Sequence, residues 1–211
     1  MTGSEPAPDC PLCPRLAAYR AQNRAVNPGW FNAPVPSFGQ ADARLLVVGL
    51  APGVKGANRT GRPITGDHAG ILLYAALLRA GFATGTYDQR PDDGLTLVDC
   101  RIANAVRCVP PENAPKPAEI SACNAFLAAT VAEMPRLRVA LCLGTIAHDA
   151  VLRALGLRRA AYKFAHGTLH TLPSGLVLAD SYHVSRYNTS TRRLTEPMFH
   201  AVMNEVGRLC R

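Results

Sequence analysis

The sequence predicts an α/β protein, a three-layer α/β/α sandwich around a central four-stranded parallel sheet. Three observations predict it. Four short apolar runs lack the alternation of a half-solvated strand, so each suits a strand buried on both faces. Segments rich in helix formers separate those runs, giving the order strand, helix, strand, helix. The first run, from Arg44 to Leu50, closes in Gly49-Leu50-Ala51-Pro52-Gly53. A glycine- and proline-rich turn at the carboxyl end of a parallel strand is where open α/β sheets bind ligands.

The elements follow in order. Residues 1–9 are expected to form a disordered tail, and residues 10–211 a single domain. Residues 15–26 are rich in helix formers, and prolines and glycines make 27–40 a loop that Trp30, Phe31 and Phe38 pin to the core. Strand one (44–50) leads through a loop at 51–67 to a helix at 68–81 ended by Gly81. Strand two runs from 95 to 100 and on toward Asn104. After a proline-rich loop, Pro117 opens a helix over 117–133. Strand three (138–143), a helix to Leu155, a basic stretch at 158–175, strand four (176–180) and a last helix starting near Thr195 complete the chain.

Composition narrows the function classes. Of 211 residues 48% are hydrophobic, which excludes a disordered chain, and no apolar run reaches the ~18 residues of a membrane span. The amino-terminal residues have neither the basic nor the apolar region of a signal peptide, so a cytoplasmic location is expected. Net charge is +8, and only Lys55, Lys116 and Lys163 of the 23 basic residues are lysines. Arginine suits bidentate phosphate contacts, although a high-GC genome also favours arginine codons.

Seven cysteines in a cytoplasmic chain point to metal or catalysis rather than disulfides. Cys10-x-x-Cys13 is a two-ligand clip, and Cys108 and Cys123, placed in or beside the proline-rich loop and its helix, are candidates for the other half. Cys100 and Cys142 fall within strands and read as packing residues. Four thiolates suit tetrahedral zinc or a four-iron cluster.

Several motifs together, Gly49-Leu-Ala-Pro-Gly53, Asn58-Arg-Thr-Gly-Arg-Pro63 with Thr65-Gly-Asp67, Asn104-Ala-Val-Arg-Cys108 and His183-Val-Ser-Arg-Tyr-Asn-Thr189, resemble those of uracil-DNA glycosylases, most closely the family 5, or B-type, group. The resemblance runs from Cys10 to the last helix. It implies an α/β/α sandwich, a [4Fe-4S] cluster held by Cys10, Cys13, Cys108 and Cys123, and removal of uracil and other deaminated bases, such as hypoxanthine, from DNA. It also implies DNA as the partner, no membrane association, a monomer, and no lyase step, since no lysine stands in a motif position.

By the same resemblance, residues have roles. His183 would hydrogen-bond the leaving base as negative charge builds on it, and Asn104 would read the base edge with its donor and acceptor. Asp67 would activate water; it also sits where a helix N-cap belongs. Gly49, Leu50, Ala51, Pro52 and Gly53 would wall the base pocket. Ile64 replaces the aromatic residue of family 4, which implies a more tolerant pocket. Arg59, Arg62, Arg186, Arg192 and Arg193 would grip phosphates, with Asn188 beside them, and Tyr187 would fill the gap left by the extruded nucleotide. The competing expectation is a non-catalytic nucleic-acid-binding module with a structural metal. A nucleotide-binding enzyme is disfavoured by the lack of GxGxxG or Walker sequences.

Overall fold

The computed structural model describes residues 3–211. Its helices are α1 (Pro14–Val26), α2 (Ala57–Thr60), α3 (His68–Ala80), α4 (Pro117–Ala132), α5 (Thr145–Ala154), α6 (Arg186–Ser190) and α7 (Glu196–Cys210). Its strands are β1 (Leu45–Gly49), β2 (Ala83–Thr84), β3 (Thr96–Leu97), β4 (Cys100–Asn104), β5 (Val139–Leu143), β6 (Leu169–Thr171) and β7 (Val177–Ser181).

The main sheet has the order β4-β1-β5-β7-β6. Its first four strands are parallel, the architecture expected, although one of them lies further along the chain than its apolar run. All five residues of β1, β4 and β5 are buried, because both sheet faces are covered. Leu45, Val47, Ile102 and Leu141 face α3 and α7, where they meet Leu73, Leu77, Phe199 and Met203. Leu46, Val48, Ala103 and Cys142 face the opposite way, onto Leu127 of α4 and Val151 of α5. Neighbouring residues on one strand thus feed different layers, which gives the three-layer sandwich.

Four expectations change. A fifth strand, β6, pairs antiparallel to β7 at the sheet edge; its short, half-solvated run within the basic stretch carries no apolar signal. The second long strand starts at Cys100, not at 95. Asp99 (φ +51) breaks the chain there, and Thr96–Leu97 pair with Ala83–Thr84 in a separate ribbon. The motif after β7 contains its own helix, α6, capped by the Ser185 hydroxyl, which accepts from the Asn188 N–H. The tail expected at 1–9 falls outside the described residues at positions 1 and 2. From Ser4 onward it is tied down: the Ser4 carbonyl accepts from the buried Arg107, and Glu5 accepts the Ser37 N–H and pairs with Arg101 and Arg107.

A cleft at the carboxyl ends of the strands

Strands β1 and β4 end side by side, and Gly49 and Asn104 are in register. A β-carbon on Gly49 would lie 2.5 Å from the Asn104 Oδ1 and 3.2 Å from the Ile64 Cδ1. Glycine at 49 therefore makes room for an amide and an apolar wall at one point. Asn104 is 2% exposed. Among the described residues neither its Oδ1 nor its Nδ2 has a hydrogen-bond partner. A buried amide left unpaired costs about 1–3 kcal/mol, so the site is built for a group that completes it. Ile64 closes over the same spot at φ +51. A β-branched residue in the left-handed region is strained, and such strain collects at functional sites.

Next to this point opens a cleft of about 510 Å³ lined by Leu50, Ala51, Gly53, Asp67, His183 and Tyr187, among others. Asp67 caps α3, its Oδ1 accepting from the Ala69 N–H at 3.1 Å. Its second oxygen lies over the turn after β1, 2.9 Å from where a Gly53 β-carbon would be. The N-cap role and a cleft-facing carboxylate oxygen are thus both realised. His183 follows β7, and its carbonyl accepts from the Asn188 side-chain amide at 2.8 Å. Burial lowers the His183 pKa below its usual 6.5, and the nearby Asp67 charge offsets only part of that. The ring is neutral at pH 7 and able to donate one hydrogen bond.

Three sequence expectations are thereby brought together: Asp67, His183 and the 49–53 turn share one cleft, with Asn104 and Ile64 buried beside it. Pro52 is buried within the turn. Arg59, Arg186 and Arg192 are exposed, and Tyr187, 70% exposed, stands at the lip. Arg193 is exposed with its guanidinium 4.6 Å from the Tyr182 ring centroid.

One expectation is corrected. Arg62 does not face solvent: it is 5% exposed, makes a two-pronged ion pair with Asp93 at 2.8 Å, and is packed among the rings of Phe38, Tyr74 and Tyr87. Its charge is consumed in holding the loop that carries Ile64. Asn188 donates one amide N–H to the His183 carbonyl, so it also shapes the loop that carries the imidazole. Sequence reasoning missed His68 and Asn113, which also line the cleft. His68 follows the N-cap directly, and its Nε2 meets the Thr189 hydroxyl at 3.0 Å. Asn113 sits in the proline-rich loop at φ +55, and only its neighbouring prolines hinted at so fixed a turn.

Cys10, Cys13, Cys108 and Cys123 line a second, apolar pocket with Leu16 and Phe126. Burial pushes the Cys108 thiol up to about 11 and the Cys123 thiol up to about 12. Their sulfurs accept from Arg20 at 3.5 Å and from the Arg107 backbone N–H at 3.3 Å. Four thiols around one pocket, with N–H donors aimed at two of the sulfurs, suit a thiolate-held metal group. Cys100 and Cys142 are buried within strands, as expected.

Comparison with known proteins places this arrangement. A family model described as the uracil DNA glycosylase superfamily matches residues 36–207. A protein of Thermus thermophilus named type-5 uracil-DNA glycosylase is 46% identical over 206 residues, covering 95% of this chain and 93% of its own. One of the same name from Mycobacterium leprae is 41% identical, covering 95% and 91%. Another from Pyrobaculum aerophilum is 39% identical, covering 89% and 83%.

Proposed function

The chain belongs to the uracil DNA glycosylase superfamily, and on that premise we propose that it extrudes uracil from DNA into the cleft and hydrolyses the N-glycosidic bond. The observation that carries this is the Asn104 amide, buried with both polar atoms unpaired against Gly49, where the turn that lines the cleft with the carboxylate and imidazole begins. A uracil edge offers a carbonyl acceptor next to an N–H donor, the complement of one amide.

A base in a duplex stack is out of reach, so the nucleotide leaves the helix first. Bond cleavage leaves negative charge on the base. The neutral His183 ring, lining the cleft, donates to that charge as it develops. The free oxygen of Asp67, held by its capping bond, orients a water toward the electron-poor sugar carbon. Both groups sit on rigid supports, a helix terminus and a strand end. Exposed Arg59, Arg186 and Arg192 bind phosphates around the cleft, and Tyr187 enters the gap in the stack.

The reading extends to other deaminated bases. Ile64 provides an apolar wall without a stacking ring, which supports acceptance of a purine such as hypoxanthine. Cys10, Cys13, Cys108 and Cys123 would hold a [4Fe-4S] cluster. When bound it would cross-link the start of α1, the segment after β4 and α4; Arg107, between Asn104 and Cys108, ties that segment to Ser37 and Thr130.

A labelled oligonucleotide with one uracil, treated with protein and then with alkali, tests the function. Breaks at the uracil that need alkali are expected. Binding without abasic sites would instead favour a non-catalytic module. The same assay with hypoxanthine tests the breadth of the pocket, and absorbance near ~400 nm with iron analysis tests the cluster.

A further inference from the structure

Where β7 ends, the backbone before His183 passes from sheet bonding to side-chain bonding. The Asp180 carbonyl still accepts from the Gly167 N–H, and the Ser181 carbonyl from the Gly144 N–H, each at 2.8 Å. The next N–H, of Tyr182, goes to the ring Nδ1 of His166 at 3.2 Å. The Tyr182 carbonyl accepts from the Ser181 hydroxyl, and the His183 carbonyl from Asn188. The same imidazole also stacks on the Tyr182 ring, with centroids 5.0 Å apart and planes 16° apart. Arg193 covers that ring as well. One side chain, from the loop before β6, thus holds both the backbone and the ring of the residue preceding His183.

Resting on the glycosylase reading, we propose that His166 is a positioning residue for His183: in its neutral form it latches the Tyr182 N–H and so aims the imidazole that meets the leaving base. The donor is a backbone N–H, so Nδ1 must offer a lone pair, which fixes the Nε2–H tautomer. Protonation places an N–H against an N–H and releases the latch. The charged and titratable groups around it are few. Tyr182 lies against the ring, Arg193 sits across Tyr182, Asp180 on β7 meets the loop through backbone bonds to Gly167 and Thr168 while its carboxylate turns to His148 and His170, and Lys163 is exposed on the same loop. Arg193 disfavours a second cation there, and burial also lowers the His166 pKa, so the latched form prevails at neutral pH.

Two variants separate acceptor from ring. His166→Asn keeps an acceptor near the Nδ1 position without a titrating group; His166→Phe keeps the stack without the acceptor. Single-turnover excision is measured from about pH 5 to pH 8, together with DNA affinity. H166F is expected to lose about ten- to a hundred-fold in rate with affinity unchanged, the scale for a misplaced catalytic group. H166N is expected to keep a rate close to the unsubstituted protein at neutral pH and to lose less of it on acidification. An H166F rate equal to that of the unsubstituted protein, or an H166N rate as low as that of H166F, overturns the proposal. Nitrogen NMR of the unsubstituted protein decides independently of activity. A proton on Nε2 of His166 is expected, and a proton on Nδ1 overturns the latch. Should the unsubstituted protein form no abasic sites at all, the glycosylase reading fails, and the NMR result still judges the latch.

Discussion

Strand β7 carries two imidazole environments a short distance apart, and they are built in opposite ways. Inside the sandwich, Asp180 accepts from the His148 Nδ1 at 2.7 Å, while the His148 Nε2 donates to the Tyr162 carbonyl at 2.9 Å. Both His148 nitrogens face acceptors. Burial alone would lower its pKa, but the bond and charge of Asp180 outweigh burial and raise it. Three residues beyond Asp180, His183 has no carboxylate bonded to it, and burial prevails, so its pKa falls. The first ring is clamped between the Asp180 carboxylate on β7 and the Tyr162 carbonyl. The second ring is left neutral, with its bonding capacity open to the cleft. Geometry within one strand thus separates a histidine that holds the fold from one able to act on a ligand.

The largest effect that sharpens this contrast is on stability. Asp180→Ala strands a buried imidazole and should cost about 3–5 kcal/mol, read as a lowered denaturation midpoint. An unchanged midpoint would remove the clamp. Next comes the cleft. His183→Ala should slow uracil excision by about 10²–10³, the cost of losing one donor to developing charge, with stability and DNA affinity nearly unchanged. Equal losses in rate and affinity would take His183 out of the chemistry.

The legible and illegible parts of the sequence divide along the same line. Strands β1 and β5 were readable because Leu45–Val48 and Val139–Leu143 are apolar without alternation, whereas the run read for the second strand at 95–100 lies mostly in the separate ribbon and β4 begins only at its end. Asp67 and His183 were readable only through motifs, since a lone Asp before a helix reads as a cap. The structure makes it a cap and a cleft residue at once. Arg62 misled because charge in sequence says nothing of burial. Its partner Asp93 lies 31 positions away, and the three rings around it come from separate segments. The edge strand β6 and the His148–Asp180 clamp were invisible for the same reason: each is defined by a partner that the chain supplies elsewhere.

The two histidines should also tilt stability with pH in opposite directions. His148 has a raised folded pKa, so its contribution is full below about 6.5 and fades as pH rises through the folded value. His183 has a lowered one, so its share is full above about 6.5 and fades as pH falls. Melting temperatures between about pH 5 and pH 8 should therefore fall less on acidification in His183→Ala, and less on alkalinisation in His148→Ala. Parallel curves for both variants and the unsubstituted protein would erase the contrast.

The smallest effect tests the same division among arginines. Arg186 is exposed at the cleft rim, whereas Arg62 is locked to Asp93. Removing a phosphate contact lowers the slope of log affinity against log salt by about 1, uniformly across sequences. Arg186→Ala should show that change and leave the fold intact. Arg62→Ala should leave the salt slope where it was and lower stability, because Asp93 loses the partner that holds its carboxyl below the usual range and the loop carrying Ile64 loses its anchor. If instead Arg62→Ala flattens the salt dependence, the loop opens in solution far enough to expose its guanidinium. The buried pair would then be a resting arrangement, and the Ile64 wall would belong to a segment that moves when DNA arrives.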